Sequence, residues 1–139
     1  MAPSQVPAYI LGAACIGRGL MAIAKPTEEY AHVGLPLEPV NATPSPSPSP
    51  SRDTSIGTAS PLMLFKGIRE VSYGLTLAGL QWQDNHKAVT TCAAILSAVR
   101  LGDGLVVWMC GGGALRYRAW GHWITSGGLL GWVLWRLRG

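Results

Sequence analysis

Charge is scarce in this sequence. Asp, Glu, Lys and Arg make up 13% of its 139 residues, against 48% hydrophobic ones, and there is a single phenylalanine beside 6 tryptophans. The formal net charge of +4 comes from 11 basic residues scattered without a basic run or an aromatic-basic module, so nucleic acid is not an expected partner. Cysteine is also sparse. Cys15, Cys92 and Cys110 are odd in number and show no C-x-x-C or Cys/His spacing, which excludes a disulfide framework and a metal site and makes them buried thiols. No serine or cysteine with a base at a recognisable spacing is visible, so covalent catalysis is disfavoured. The glycine-opened stretch 110–119 lacks the strand and lysine of a phosphate cradle.

What is abundant is glycine, 18 residues, and stretches of membrane-spanning length. Low charge, many glycines for close helix packing and tryptophans for the headgroup level fit a small polytopic membrane protein better than a soluble domain. The fold class expected is all-α: one domain over residues 1–139, with four transmembrane helices in an antiparallel bundle at about 6–24, 61–80, 88–109 and 120–137. Ala13 with Gly17, Cys15 with Gly19, and Gly127 with Gly131 are small pairs four apart that would let helices approach. Ala22-Ile23-Ala24 looks like a signal cleavage site, but the preceding segment has no basic n-region and is interrupted by Arg18, so retention is expected. Between the first two spans lies a polar connection ending in the alternating PSPSPSPS of 44–51, an extended tether with a disordered loop over 40–60. Asn41-Ala42-Thr43 in that loop matches the N-glycosylation pattern. The short QWQDNHK turn, 81–87, forces the second and third helices to be antiparallel neighbours. Basic residues divide three against four between the two sides and leave orientation open.

The stretch that organises the rest is PLMLFKGIREVSYGLTLAGL, 61–80, with Lys66, Arg69 and Glu70 inside an apolar span. Each ionisable group at bilayer depth costs roughly 2.5 to 3.5 kcal/mol on insertion scales, so three need compensation or a use. One reading is an intrahelical Lys66–Glu70 pair with Arg69 snorkelling outward. The third span repeats the theme with Arg100 and Asp103, three apart, and Gly102 and Gly104 beside Asp103 mark close packing or a local irregularity. Antiparallel geometry brings Arg18, Arg69, Glu70, Asp103 and His122 to one layer. Either this layer is an architectural network, or it does general acid-base chemistry on a greasy substrate.

Three stretches, SPLMLFKGIREVSYGL, the AVTT to RLGDGLVVW run and GHWITSGGLLGWVLWR, together resemble a fungal family of small four-helix integral membrane proteins catalogued as a domain of unknown function. The K-G-I-R-E motif at Lys66–Glu70 and the G-D-G motif at Gly102–Gly104 are the more specific parts. The resemblance covers nearly the whole chain apart from the Pro/Ser tether. It implies the fold and no activity. By analogy, small membrane proteins of fungal polyketide and meroterpenoid pathways include epoxide hydrolases and cyclases.

The function expected is a membrane-embedded epoxide hydrolase or cyclase of fungal secondary-metabolite biosynthesis. It would act on a lipophilic polyketide or terpenoid without cofactor or metal. Glu70 and Asp103 would share the acid and base roles, with Arg69 holding one of them ionised. Tyr73, His122 and Arg18 are the candidate substrate-binding residues. The expected surroundings are membrane lipid in the endoplasmic reticulum or another endomembrane, with association to other pathway enzymes. The alternative is a non-catalytic scaffold, or a protein that binds or transports a lipophile.

Overall fold

The computed structural model describes residues 5–38 and 59–138, and the described residues contain helices and no β-sheet. The expected loop over 40–60, apart from Ala59 and Ser60, lies outside them, as does Asn41. Four long helices, α1 (Val6–Ala24), α3 (Leu62–Trp82), α4 (His86–Cys110) and α6 (Ala119–Arg138), make up the body. A short α2 (Pro26–Val33) follows α1, and one turn of helix, α5 (Gly112–Leu115), with a 3-10 turn at Arg116–Arg118 joins α4 to α6. The start and stop signals of these elements are local. A proline opens α1 and α2 where its missing N–H costs nothing. The Asn85 side chain accepts the Ala88 N–H at 3.2 Å to cap α4. Gly34, at φ 95°, ends α2, and its N–H and that of Leu35 both reach the Tyr30 carbonyl at 3.0 Å.

Helix α1 packs antiparallel along α3, and α4 antiparallel along α6. The first pair meets through glycine. Ala8, Gly12, Cys15, Gly19 and Ala22 are the buried positions of α1, and Met63, Gly67, Glu70, Gly74, Leu77 and Gln81 those of α3. Both sets step alternately by three and four, the spacing of a left-handed coiled-coil seam. Gly12 opposes Gly74 and Gly19 opposes Gly67; a Cβ at Gly19 would lie 2.5 Å from the Gly67 carbonyl oxygen, and one at Gly67 2.8 Å from the Gly19 oxygen. The backbones therefore touch. Of the small pairs expected from fourfold spacing, Cys15 with Gly19 lies on the seam, whereas a Cβ on Gly17, Gly127 or Gly131 meets nothing within 4 Å. Sevenfold spacing wins because the supercoil brings every seventh residue back to the seam.

The second pair, α4 with α6, meets through side chains. Ser97 donates to the Ser126 carbonyl at 2.9 Å and Ser126 donates to the Ser97 carbonyl at 2.8 Å. The Trp123 indole lies against Gly104, where any Cβ would collide with it, so of the glycines flanking Asp103 it is Gly104 that serves close packing; Gly102 has open space. The 83–85 turn does make α3 and α4 antiparallel, but they are less closely packed than either pair and meet through ion pairs.

Burial is inverted relative to a water-soluble bundle. Glu70 is 0% exposed and Glu29 1%, while Ile124 is 72% and Phe65 68% exposed. Among the described residues two helices, α1 and α4, are long and apolar enough to cross a membrane. The cysteines divide: Cys15 is buried, Cys92 half-buried, and Cys110, expected to be buried, is exposed at the end of α4.

Candidate functional site

The charged residues gather toward the end of the bundle that α2 covers, and the pairing differs from the sequence expectation. Helix α2 buries Tyr30 and Val33 against Ala22, Met63, Val107 and Ala119, and buries Glu29 beside them. The segment after α1, expected to be only a tether, thus carries a buried carboxylate. Glu29 Oε1 accepts from Arg18 at 2.6 Å and from Lys66 at 3.3 Å. Lys66 is thereby committed to Glu29 and not to Glu70 one turn away, because α2 brings a carboxylate that can be reached from both α1 and α3.

Glu70 belongs to a second cluster. Its Oε2 accepts from Arg100 at 2.6 Å, and the same guanidinium stands 3.5 Å from Asp103. Asp103 Oδ1 is 3.4 Å from Arg69. Arg69 therefore partners Asp103, while Arg100, on the facing helix, holds Glu70. The physical reason is facing. Glu70 lies on the α1-facing seam of α3 between Gly67 and Gly74, whereas Arg69 is turned away from that seam. Arg100 thus bridges two carboxylates of unlike access: Glu70 sealed in the core, with Oε1 buried and unpartnered, and Asp103 with 21% of its side chain exposed.

Two clefts flank this charged wall. The first, about 470 Å³, lies between α2 with the segment after it, the first half of α3 and the second half of α4. Its walls are mostly apolar, Val33, Leu35, Met63, Phe65 and Val107 among them, and its polar groups include Lys66, Arg69, Asp103 and Tyr30. The Tyr30 hydroxyl accepts the Ser60 N–H at 3.0 Å, which ties the start of α3 to α2. The second cleft, about 520 Å³, lies between α1, α4 and α6 and is lined by Arg18, Arg100, Arg118, His32 and His122 over an apolar floor.

Of the expected site residues, Asp103 and Arg69 share the first cleft, and Arg18 and His122 share the second. His122 Nε2 is 3.1 Å from the Val33 carbonyl, bracing α6 against α2. Glu70 lines neither cleft, and Tyr73 packs against the separate core of Ala8, Leu77 and Val89. Sequence reasoning missed Glu29, the true partner of Lys66, and the bridging role of Arg100. The signal for Glu29 was present: proline at 26, acids in the first turn and glycine at 34 are the start and stop signs of a helix. Among the described residues no His, Cys, Asp and Glu cluster has the makings of a metal site.

Fold and site together define an all-helical protein whose two tight helix pairs are joined by a charged layer beside an apolar cleft. The chain belongs to the family described as a domain of unknown function (DUF4267), whose profile matches residues 12–136. No curated protein and no solved structure matches it.

Proposed function

We propose that this chain is a multi-pass membrane protein that takes a lipophilic small molecule into the cleft between α2, α3 and α4 and opens an epoxide on it. The observation that carries this reading is Asp103, a carboxylate in the wall of a mostly apolar cleft, flanked by Arg69 and Arg100. Two helices, α1 and α4, are long and apolar enough to cross a membrane, and this reading adds α3 and α6 because they match them in length and the bundle keeps an apolar outer surface with charge buried inward, which suits lipid as the solvent.

Asp103 stands between the Arg69 and Arg100 guanidiniums in the cleft wall, and this reading gives it the base role. Asp103 takes a proton from water, or from a substrate hydroxyl in a cyclisation. The oxygen so activated bonds to the epoxide carbon, the ring C–O bond breaks, and the released oxygen takes a proton from the Lys66 ammonium in the same cleft wall. Glu70, sealed behind Arg100, positions that guanidinium and touches no substrate. An endomembrane setting and association with other pathway enzymes follow only by analogy with small membrane proteins of similar size in fungal polyketide and meroterpenoid pathways.

The test is turnover of a panel of lipophilic terpenoid and polyketide epoxides by the protein in lipid nanodiscs, followed by mass spectrometry in ¹⁸O-water. A diol carrying one ¹⁸O, or a cyclic ether carrying none, is expected from the native chain. Asp103→Asn at equal membrane level should be slower by 10² or more, the usual weight of a general base. An Asn variant that works at the native rate overturns the reading. A non-catalytic lipophile carrier is favoured by one feature, that Asp103 already has two cationic partners; it predicts retention of the epoxide unchanged.

A further inference from the structure

The second cleft has a different chemistry from the first. Its wall residues on α1, Leu11, Ala14, Cys15 and Arg18, follow the three-four spacing of one helix face, and Arg18 stands about 10 Å above Leu11 at 1.5 Å rise per residue. On the facing side His122, Thr125 and Leu129 run down α6 in the same way, below Arg118. The result is a trough with a cationic mouth and an apolar floor, which α4 lines with Leu96 and, one turn nearer the mouth, Arg100.

Among the described residues no acid lines this trough. Arg18 and Arg100 are each balanced by a carboxylate behind the wall, Glu29 and Glu70. Arg118 is not: it makes no ion pair among the described residues, its Nε is buried without a hydrogen-bond partner, and its guanidinium is held 5.6 Å from the Tyr117 ring centre. A guanidinium without an ion pair, at the mouth of an apolar trough between helices, calls for an anion attached to a hydrocarbon chain. Basic pockets between helices at a membrane surface recognise acidic head groups in this way.

We infer that the cleft between α1, α4 and α6 is a binding site for an acidic phospholipid, its phosphate at Arg118 beside Arg18 and His122, and one acyl chain along Leu11, Leu96 and Leu129. This site is separate from the cleft that holds Asp103, and its occupant is not the substrate proposed there.

The test is native mass spectrometry of the full chain after exchange into micelles containing phosphatidic acid, phosphatidylcholine or both. One phosphatidic acid should stay bound, at least tenfold in preference to phosphatidylcholine, and inorganic phosphate at equal concentration should not displace it. Arg118→Gln should reduce retention about tenfold. Because Arg118→Gln could also disturb the 3-10 turn, Gly121→Leu is the second variant: a side chain there enters open space in the trough and leaves every charge in place. It should abolish retention while the helical circular dichroism and elution volume stay native. Equal retention of the two lipids, displacement by free phosphate, or full retention by a folded Gly121→Leu would each overturn the proposal. Opening of epoxides at the Asp103 cleft is read out separately, so either site can fail without the other.

Discussion

The two helix pairs solve the same packing problem with opposite materials. In α1 and α3 the backbones meet at glycine, with nothing between Gly12 and Gly74 or between Gly19 and Gly67 but van der Waals contact. In α4 and α6 the contact is made by side chains, two serines exchanging hydrogen bonds and an indole against Gly104. Where both partners are apolar and lipid is equally apolar, close approach is what favours association, and glycine gives the closest approach. Between the pairs the packing loosens, and ion pairs span the gap that the two clefts leave open. Rigidity thus resides within each pair, and access lies between them.

The contrast breaks most severely at the glycine seam. Gly19→Leu adds a branched side chain where even a Cβ lies 2.5 Å from a carbonyl oxygen and 2.7 Å from Val71 Cγ2. Backbone cannot yield as a flexible side chain can, so the cost exceeds the roughly 1 to 3 kcal/mol of ordinary overpacking, and no monodisperse protein should elute from detergent extracts. Native-like elution of Gly19→Leu would mean that α1 does not lie on α3 in this register.

Next in size is the ion pair between the pairs. Glu70→Gln leaves the Arg100 guanidinium half-compensated in a buried place, which costs about 3 to 5 kcal/mol when a buried pair loses one partner. Removing both charges, as in Glu70→Gln with Arg100→Met, should recover most of that loss. Thermal unfolding in one detergent for the two single variants and the double closes the cycle. Additive losses would show that Glu70 and Arg100 do not interact. Ser97→Ala is milder still, about 0.6 to 1 kcal/mol, the measured scale of interhelical hydrogen bonds in membrane proteins.

The four long helices were legible from apolar length alone, and the layer of charge from its position along them. Which charge meets which was not, because pairing depends on the facing of each helix. Arg69 and Glu70 are neighbours in sequence, yet their directions differ by about 100° around the helix, enough to send one to Asp103 and the other to Arg100. Glu29 was hidden for another reason: proline and charge in the segment after α1 read as solvent-exposed chain, while Tyr30 and Val33 were the apolar stripe that buries it. The glycine seam was visible as a sevenfold repeat at 12 and 19 and at 67 and 74, of which a search at fourfold spacing finds only Gly19, beside Cys15.

The smallest effect sharpens the comparison from the opposite side. Gly17 is in the same helix as Gly12 and Gly19, and Gly127 is in the pair that does not use glycine at its contact; at both a Cβ would meet nothing within 4 Å. Alanine at either position should be neutral to stabilising, by up to about 1 kcal/mol, since glycine in a helix interior is disfavoured relative to alanine by about that amount. Set beside Gly19→Ala, which must displace the Gly67 carbonyl, the three substitutions share one chemistry and differ only in what lies opposite. Melting temperatures that fall for Gly19→Ala and hold or rise for Gly17→Ala and Gly127→Ala would assign close packing to the sevenfold glycines alone. A loss at Gly127→Ala as large as that at Gly19→Ala would require a partner on the outer face of α6.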